Sequence, residues 1–209
     1  MAELFSHPLD GKFVARLKNN IEGHVHFDPY TVGRYSTDAS IYQVAPFGVV
    51  IPKTIQDLVA AVEIAADYNI PILPRGGGTS QCGQTVNQAI VIDCSQYLNK
   101  IVDFDYDQRK ISVEPGIVLD HLNSYLKPYN LFFPVDISTA SRATIGGMTA
   151  NNSCGGRSIR YGIMVDNVHS IDAFLINGQH ARFADTPSDL NHVKGTEHYR
   201  LLVSSVREI

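Results

Sequence analysis

The sequence predicts an α+β fold with two lobes, a small parallel βαβ lobe at residues 46–99 and a mainly antiparallel lobe with helices at residues 100–184. Two observations predict this fold. In the first lobe a β-branched run, an amphipathic helical stretch and a second apolar run follow in order, and parallel strands need such a crossover helix. In the second lobe apolar and polar residues alternate around turn dipeptides, which is typical of antiparallel hairpins.

The first lobe is predicted to begin with a short strand at Val49–Ile51. Thr54 lies three residues before Asp57, which is a helix N-cap pattern. Two further strands are predicted at Ile70–Leu73 and Ala89–Ile92, on either side of a glycine-rich segment. The helix between the first two strands has an apolar face formed by Leu58, Val62, Ala65 and Ala66.

The second lobe is predicted to hold two antiparallel hairpins and a helix. The first hairpin turns at Asp107-Gln108 and the second at Asn177-Gly178, a dipeptide that strongly favours a two-residue hairpin turn. The predicted elements are strands at Ile101–Phe104 and Ile111–Glu114, a helix at Val118–Leu126 and a strand at Ile171–Leu175.

The two ends of the chain lie outside the two predicted lobes. Residues 1–45 are interpreted as a lead-in arm with one short helix near Gly11–Asn19, because their apolar residues have no sustained period. Leu201–Val206 has the pattern of a helix that is still in progress where the sequence stops. We therefore expect residues 185–209 to be the start of a longer C-terminal region, and the chain to be a fragment.

Composition narrows the class of protein. A net charge of −4 and a pI near 6.0 argue against a nucleic-acid-binding protein, which needs a basic surface. No apolar stretch is long enough to span a bilayer, and no signal-peptide pattern opens the chain. Together with three scattered cysteines, this predicts a cytoplasmic protein, with peripheral membrane association through a further region left open.

Three consecutive glycines in Arg75–Ser80, here called the glycine loop, are the most informative feature of the sequence. Glycines cost conformational entropy and add nothing to a core, so a run of them usually has a geometric purpose. Successive glycine N–H groups can point into one concavity that binds an anion, and the hydroxyls of Thr79 and Ser80 can add donors. The alternative from the residues alone is a plain flexible turn.

Two common phosphate-binding patterns do not fit this loop. The dinucleotide fingerprint GxGxxG fails because Gln81 stands where the third glycine is needed. The nucleoside triphosphate loop GxxxxGK[ST] fails because Gln84 occupies the lysine position.

A second run of small and hydroxylated residues, Thr144–Gly156, is here called the second loop. It follows Pro134–Ser138 in the other predicted lobe. Two such loops in one small protein indicate a long ligand that lies between them. A dinucleotide-sized cofactor fits this arrangement better than a single phosphate.

These motifs resemble those of a known family. PRGGGTS, the later TIGGM-x-ANNS, and Arg160-Tyr161-Gly162 leading to Asp166-Asn167-Val168 occur in the order seen in the FAD-binding domain (PCMH type) of the vanillyl-alcohol-oxidase superfamily. The chain is most similar to FAD-linked oxidases of the glycolate oxidase, D-lactate and D-2-hydroxyglutarate dehydrogenase type. The resemblance implies a two-lobe FAD-binding domain.

The resemblance also implies roles for individual residues. The glycine loop would hold the FAD pyrophosphate, with Gly83 at its end, and three residues of the intervening segment would line the adenosine half. The second loop would form the second wall, and the Tyr161–Val168 segment would close over the adenine. The implied cofactor-binding residues are Arg75, Gly76, Gly77, Gly78, Thr79, Ser80, Gly83, Pro134, Asp136, Ser138, Thr144, Gly146, Gly147, Ala150, Asn152, Gly162, Asn167 and Val168.

The sequence departs from the family pattern at two places. Members that attach the flavin covalently often carry histidine in the first loop, where this chain has Thr79, so non-covalent FAD is implied. Asn152–Gly155 reads Asn-Ser-Cys-Gly instead of the commoner Asn-Ala-Gly-Gly, which leaves the path of the second loop open.

The implied activity is oxidation of a D-2-hydroxy acid, with a hydride passing from its α-carbon to the flavin. Full-length members add a substrate-binding cap domain, and some add an iron–sulfur module, so no catalytic residue is nominated in this chain. Two alternatives stay open: a flavin reductase of cell-wall precursor synthesis on the same fold, and a non-catalytic FAD-binding module.

Two other patterns were weighed against structural interpretations. His24 and His26 with Asp28 could place two imidazoles on one strand face for a metal, but a solvated arm is the favoured interpretation. Cys82 and Cys154 could form a redox pair, but small side chains are expected in both loops. No metal site is predicted.

Overall fold

The computed structural model describes residues 9–185 and 197–207. The first lobe holds a four-stranded sheet in the order β1-β2-β4-β3. Strands β2, β4 and β3 are parallel, and β1 pairs with β2 in the antiparallel direction. The strands are β1 (His24–His26), β2 (Gly48–Ile51), β3 (Ile72–Arg75) and β4 (Ile90–Asp93).

Helix α3 (Ile55–Asp67) is the predicted crossover helix between β2 and β3. It begins where the sequence indicated, because the Thr54 hydroxyl accepts a hydrogen bond from the Asp57 amide at 3.1 Å. Its apolar face packs on the sheet and against α1 (Gly11–Asn20). The resulting core contains Phe13, Leu17, Val50, Ala61, Val62, Ile64, Ile90 and Ile92.

Strand β3 begins two residues later than predicted. The Ile70 amide donates to the Ala65 carbonyl at 2.9 Å and so completes the end of α3, after Asn69 adopts a left-handed conformation with φ 53°. Pro71 follows, and the strand begins at Ile72.

The segment before Pro46 contributes regular structure that the sequence did not indicate. Besides α1 it supplies β1 and α2 (Pro29–Arg34), and β1 extends the sheet through pairs such as Val25 with Val50. The Asp28 side chain caps α2 by accepting from the Thr31 amide at 2.9 Å. The division of the chain into an arm and two lobes stays an interpretation.

A buried carboxylate joins these parts. Asp57 is 2% exposed, and its two oxygens accept hydrogen bonds from the backbone amides of Glu22, Gly23 and Lys53 at 2.8–3.0 Å. One side chain of α3 therefore fixes both the chain entering β1 and the chain leaving β2.

The second lobe has the two predicted hairpins. Each forms a separate two-stranded antiparallel sheet, and between them in sequence lie α4 (Leu119–Leu126) and three short helices. The strands are β5 (Ile101–Asp105), β6 (Lys110–Val113), β7 (Ser170–Phe174) and β8 (His180–Ala184). The short helices are α5 (Ile145–Ala150), α6 (Ser158–Tyr161) and α7 (Met164–Asn167). The core of the second lobe contains Leu119, Leu122, Leu126, Val135, Met148 and Met164.

The α+β prediction is confirmed. The predicted C-terminal helical pattern corresponds to α8 (Glu197–Arg207), whose Tyr199 ring packs on Phe183 of β8 at 5.5 Å between centroids. The rest of the segment expected to begin a further region lies outside the described residues. Across 9–185 and 197–207, no helix is long and apolar enough to cross a membrane.

The three cysteines differ in accessibility, and this predicts a labelling result. Cys82 and Cys154 are exposed, whereas Cys94 is buried. Burial, with a smaller contribution from the nearby Asp93 charge, raises the pKa of the Cys94 thiol to about 12. Because the thiolate is the reactive species, two thiols should react with a thiol reagent at pH 8 in the native protein. The third should react only in denaturant, and three rapid reactions in native conditions would contradict this assignment.

Candidate FAD site

The glycine loop leaves the carboxyl end of β3 and runs against the start of the second loop. A side chain at Gly76 would meet buried Thr144, since an added Cβ would lie 2.1 Å from its Oγ1. A Cβ at Gly77 would lie 2.3 Å from the Arg142 carbonyl oxygen. The structure therefore brings the two loops predicted from the sequence into contact, and the first two glycines make this possible.

The backbone amides that follow β3 in the glycine loop have no hydrogen-bond partner in the part of the chain that the structure describes. Within residues 9–185 and 197–207, the N–H groups of Gly76 to Ser80 donate no hydrogen bond to another protein group, and the same holds for Gln81. Gly78 has φ +64°, a conformation that side chains disfavour and that turns the loop. A run of free amides around such a turn is a site for an anionic group.

The two hydroxyls of this loop differ. The Ser80 hydroxyl contacts Gln84 Oε1 and accepts from the amides of Cys82 and Gln84 at 3.2 and 3.3 Å, so it shapes its own turn. The Thr79 hydroxyl forms no hydrogen bond with the described part of the chain. Thr79 is therefore the hydroxyl of this loop that is available to a ligand.

Gly83 ends the turn with φ +74°, and a Cβ there would lie 2.6 Å from the Tyr42 ring. Next to it, the side-chain Nε2 of Gln84 donates to Asn151 Oδ1 at 3.0 Å. This bond links the chain that follows the glycine loop to the second loop. The sequence offered no signal for Asn151 as a partner of the first loop.

The start of α5 in the second loop is already hydrogen-bonded. The amides of Ile145 and Gly146 donate to the carbonyls of Ile117 and Pro115, both at 2.8 Å, and the Gly147 amide donates to Thr144 Oγ1 at 3.3 Å. A Cβ at Gly146 would lie 2.6 Å from the Pro115 side chain. These hydrogen bonds fix the start of α5 against the segment that follows β6, so these three amides are already occupied, unlike those of Gly76 to Ser80.

Three other predicted residues hold backbone in place through their side chains. Asp136 Oδ1 accepts from the Arg157 amide at 2.8 Å, and Asn152 Oδ1 accepts from the Val165 amide at 3.0 Å. The Asn167 amide donates to the carbonyls of Tyr161 and Ile163. Gly162, with φ +79°, packs closely on Asp166, where a Cβ would lie 2.5 Å from Oδ2.

A cleft of about 1260 Å³ occupies the second lobe between the hairpins and helices α4 and α5. Its volume is sufficient for a ligand of drug size or larger. Charges of both signs line it: Arg109, Lys110 and Arg182 are positive, and Asp166, Asp172 and Asp185 are negative. The predicted residues that line it are Pro134, Gly146, Ala150, Asn167 and Val168.

The glycine loop does not line this cleft, but both are next to the start of α5. Gly76 faces Thr144, and the cleft is lined by the following residues Ile145 and Gly146. Ser138 is exposed and has no part in either. The predicted residues of the glycine loop and those that line the cleft thus form two neighbouring groups instead of one continuous surface.

The histidines near the N-terminus form local contacts. His24 shares a hydrogen bond with the Tyr97 hydroxyl at 3.0 Å, and His26 Nδ1 lies 3.6 Å from an Asp28 oxygen. Among the residues that the structure describes, no group of three or more His, Cys, Asp or Glu side chains is arranged for a metal ion.

The fold and the glycine loop define an FAD-binding domain, and comparison with known proteins agrees. Residues 46–184 match the family described as FAD binding domain, and the chain belongs to this family. The FAD-binding class of domain predicted from the motifs is confirmed, and this class implies FAD as the cofactor. The unpaired amides and the close approach at Gly76 fit the pyrophosphate of that cofactor.

Several similar proteins bear the names of 2-hydroxy acid dehydrogenases and oxidases. The chain is 40% identical over 146 residues to D-2-hydroxyglutarate dehydrogenase of Pantoea ananatis, covering 68% of this chain and 14% of that enzyme. It is 38% identical over 163 residues to the Escherichia coli enzyme of the same name, covering 77% and 16%. Glycolate oxidase subunit GlcD of Bacillus subtilis is 32% identical over 162 residues, covering 76% and 34%. The chain thus spans a small part of these relatives.

Solved structures share the fold. An alkyldihydroxyacetonephosphate synthase superposes with a TM-score of 0.74 at 22% identity, covering 95% of this chain and 40% of that chain. BBE-like 1 of Physcomitrella patens superposes with a TM-score of 0.71 at 18% identity, covering 82% and 37%.

Proposed function

We propose that the chain is the FAD-binding portion of an FAD-dependent oxidoreductase that oxidises a D-2-hydroxy acid. The observation that carries this proposal is the run of unpaired amides at Gly76–Ser80 in a domain of the FAD-binding family. The hydroxy-acid class is supported by relatives at 32–40% identity, whose names are those of 2-hydroxyglutarate, glycolate and lactate enzymes. A substrate-binding cap or an iron–sulfur module is expected in the full-length enzyme.

In this proposal the amides of the glycine loop and the Thr79 hydroxyl bind the pyrophosphate, which carries two negative charges. The rest of the cofactor is proposed to extend past the start of α5 into the cleft, because Gly76 adjoins Thr144 and the next two residues, Ile145 and Gly146, line the cleft. Pro134, Ala150 and Val168 line the cleft and are proposed to contact the cofactor there. When bound, the flavin supplies the acceptor for the hydride.

FAD is proposed to be held without a covalent bond. Covalent attachment to a flavin needs a nucleophilic side chain such as histidine or cysteine, and the glycine loop itself contains neither. Thr79, which stands where covalently linked members often carry histidine, has a free hydroxyl that suits a hydrogen bond.

The test is a titration of the purified chain with FAD and, separately, with FMN, followed by flavin fluorescence. FMN lacks the pyrophosphate and the adenosine half, so FAD is expected to bind at least about tenfold more tightly, equivalent to about 1.4 kcal/mol. Equal affinities, or no FAD binding at all, would overturn the proposed site.

Non-covalent binding has a separate test. Acid precipitation should leave all the flavin in the supernatant, whereas flavin retained in the pellet would contradict non-covalent binding.

Turnover separates this proposal from the alternatives. Reduction of bound flavin by a D-2-hydroxy acid in the full-length enzyme is the expected result. Reduction by a nicotinamide cofactor instead would favour the flavin reductase on the same fold.

A further inference from the structure

We propose that Arg75 acts as a positioning residue that supports the glycine loop from behind, and that Tyr35 and Asp93 hold Arg75 in that position. This inference rests on the proposed FAD site and assigns to Arg75 a role other than contact with the cofactor. Three sets of contacts carry it.

First, the Arg75 guanidinium is already hydrogen-bonded to backbone. Nη1 donates to the carbonyls of Tyr35 and Thr85 at 3.2 and 3.1 Å, and Nη2 donates to the carbonyl of Thr37 at 2.8 Å. These acceptors are 40, 10 and 38 residues away in sequence. The planar guanidinium therefore joins two separate stretches of chain, residues 35–37 and Thr85, to the strand that carries it. The single ammonium of lysine could not do this with the same geometry.

Second, the glycine loop rests directly on this guanidinium. A Cβ at Gly78 would lie 2.6 Å from Arg75 Nη2 and 3.2 Å from Cζ. The Gly78 carbonyl also accepts from the Ala39 amide at 3.1 Å, so the chain that Arg75 holds in turn holds the loop. The left-handed turn at Gly78, which directs the free amides, thus depends on where Arg75 lies.

Third, Tyr35 connects Arg75 to a buried carboxylate. The guanidinium carbon lies 5.2 Å from the centre of the Tyr35 ring, and the Tyr35 hydroxyl donates to Asp93 Oδ2 at 2.6 Å. Asp93 is 4% exposed, and its other oxygen accepts from the Ser95 amide and hydroxyl. Since Asp93 also pairs with Arg75 in register across β4 and β3, the ring is anchored to the strand beside the one that carries Arg75.

The contacts distinguish positioning from direct binding. If Arg75 bound the pyrophosphate as a cation, lysine would retain part of the affinity, and removing the Tyr35 hydroxyl would have no effect. If Arg75 positions the loop, lysine fails to substitute for it. Tyr35→Phe then weakens FAD binding, although the hydroxyl that it removes is bonded to Asp93 and not to the glycine loop.

The experiment measures FAD affinity in Arg75→Lys, Tyr35→Phe and the double variant. We expect about a fivefold to tenfold loss in Tyr35→Phe, the size that follows from losing one buried hydrogen bond. Arg75→Lys should lose at least as much, because lysine cannot reproduce all three hydrogen bonds of the guanidinium. The double variant should lose less than the product of the two single effects, because both act through one contact. Val62→Ala, in the α3 core of the same lobe, is the control for general destabilisation and should leave the affinity unchanged.

A second readout does not need the cofactor. In the FAD-free protein, the backbone order parameter of Gly78 should fall in Tyr35→Phe and stay unchanged in Val62→Ala. Wild-type affinity for FAD in Tyr35→Phe, with an unchanged Gly78, would overturn the positioning role while leaving the proposed function intact. Failure of the wild-type chain to bind FAD would instead overturn the proposed function.

Discussion

Replacing Gly76 with alanine is expected to weaken FAD binding by about a hundredfold or more, equivalent to about 2.7 kcal/mol. The new Cβ would lie 2.1 Å from Thr144 Oγ1 and 3.2–3.3 Å from the Cβ and Cγ2 atoms of Thr144. Thr144 is 2% exposed and its hydroxyl caps α5, so it cannot move aside without loss of that hydrogen bond. The glycine loop must therefore shift away from the second loop, and its amides lose their common direction. FAD titration by fluorescence measures the change.

Gly33→Ala is the matched control for this substitution. Gly33 lies in α2 of the same lobe, and an added Cβ there meets no atom within 4 Å. Its FAD affinity should equal that of the wild type. In Gly76→Ala/Thr144→Ala, the smaller side chain at 144 should restore part of the affinity. Wild-type binding by Gly76→Ala alone would show that the close approach of the two loops is not needed.

Replacing Asp57 with alanine is expected to destabilise the protein by about 3–5 kcal/mol, because it removes a buried carboxylate and leaves three backbone amides without their acceptor. The three amides that lose their partner belong to Glu22, Gly23 and Lys53, and a carboxylate accepts each of them more strongly than a neutral group would. Since typical domains are stable by only about 5–15 kcal/mol, much of the first lobe's stability is at stake. Urea unfolding measures the loss.

Two further variants separate this carboxylate from acidic side chains in general. Asp57→Asn keeps one carbonyl oxygen but turns an NH₂ group toward amide donors, so it should be destabilised nearly as much. Asp67→Ala removes an exposed partner of Arg16, an ion pair of 2.7 Å, and should change stability by less than about 1 kcal/mol. A small effect of Asp57→Ala would mean that water replaces the carboxylate at these amides.

Local signals predicted the elements that depend on nearby residues. Thr54 caps α3, and Asn177-Gly178 turns the second hairpin, because each of these effects acts within a few residues. Strand β1 was missed because His-Val-His has only one apolar residue and owes its structure to pairing with β2, far along the chain. Ile70 was assigned to a strand because its apolar character gave no sign that its amide closes α3.

In the candidate site, too, local features could be predicted from the sequence and contacts between distant segments could not. The glycines at 76–78 marked the loop, since a positive φ and close contacts exclude other residues. Partners that give the loop its shape, among them Tyr35 and the Arg142 carbonyl, come from distant segments and carry no local pattern. Polar side chains such as Asn167 can hold backbone or bind a ligand, and sequence does not distinguish these roles. Their roles toward FAD stay predictions.

The two separate hairpins of the second lobe have a consequence for solubility. A two-stranded sheet has an open edge on each strand, and such edges can pair with another polypeptide. Charged side chains lie along these strands, among them Asp103, Lys110, Asp172 and Arg182, and charge on an edge strand disfavours that pairing. Salt screens exposed charges. We therefore expect the charges on these edges to limit self-association of the second lobe, and to do so less as ionic strength rises.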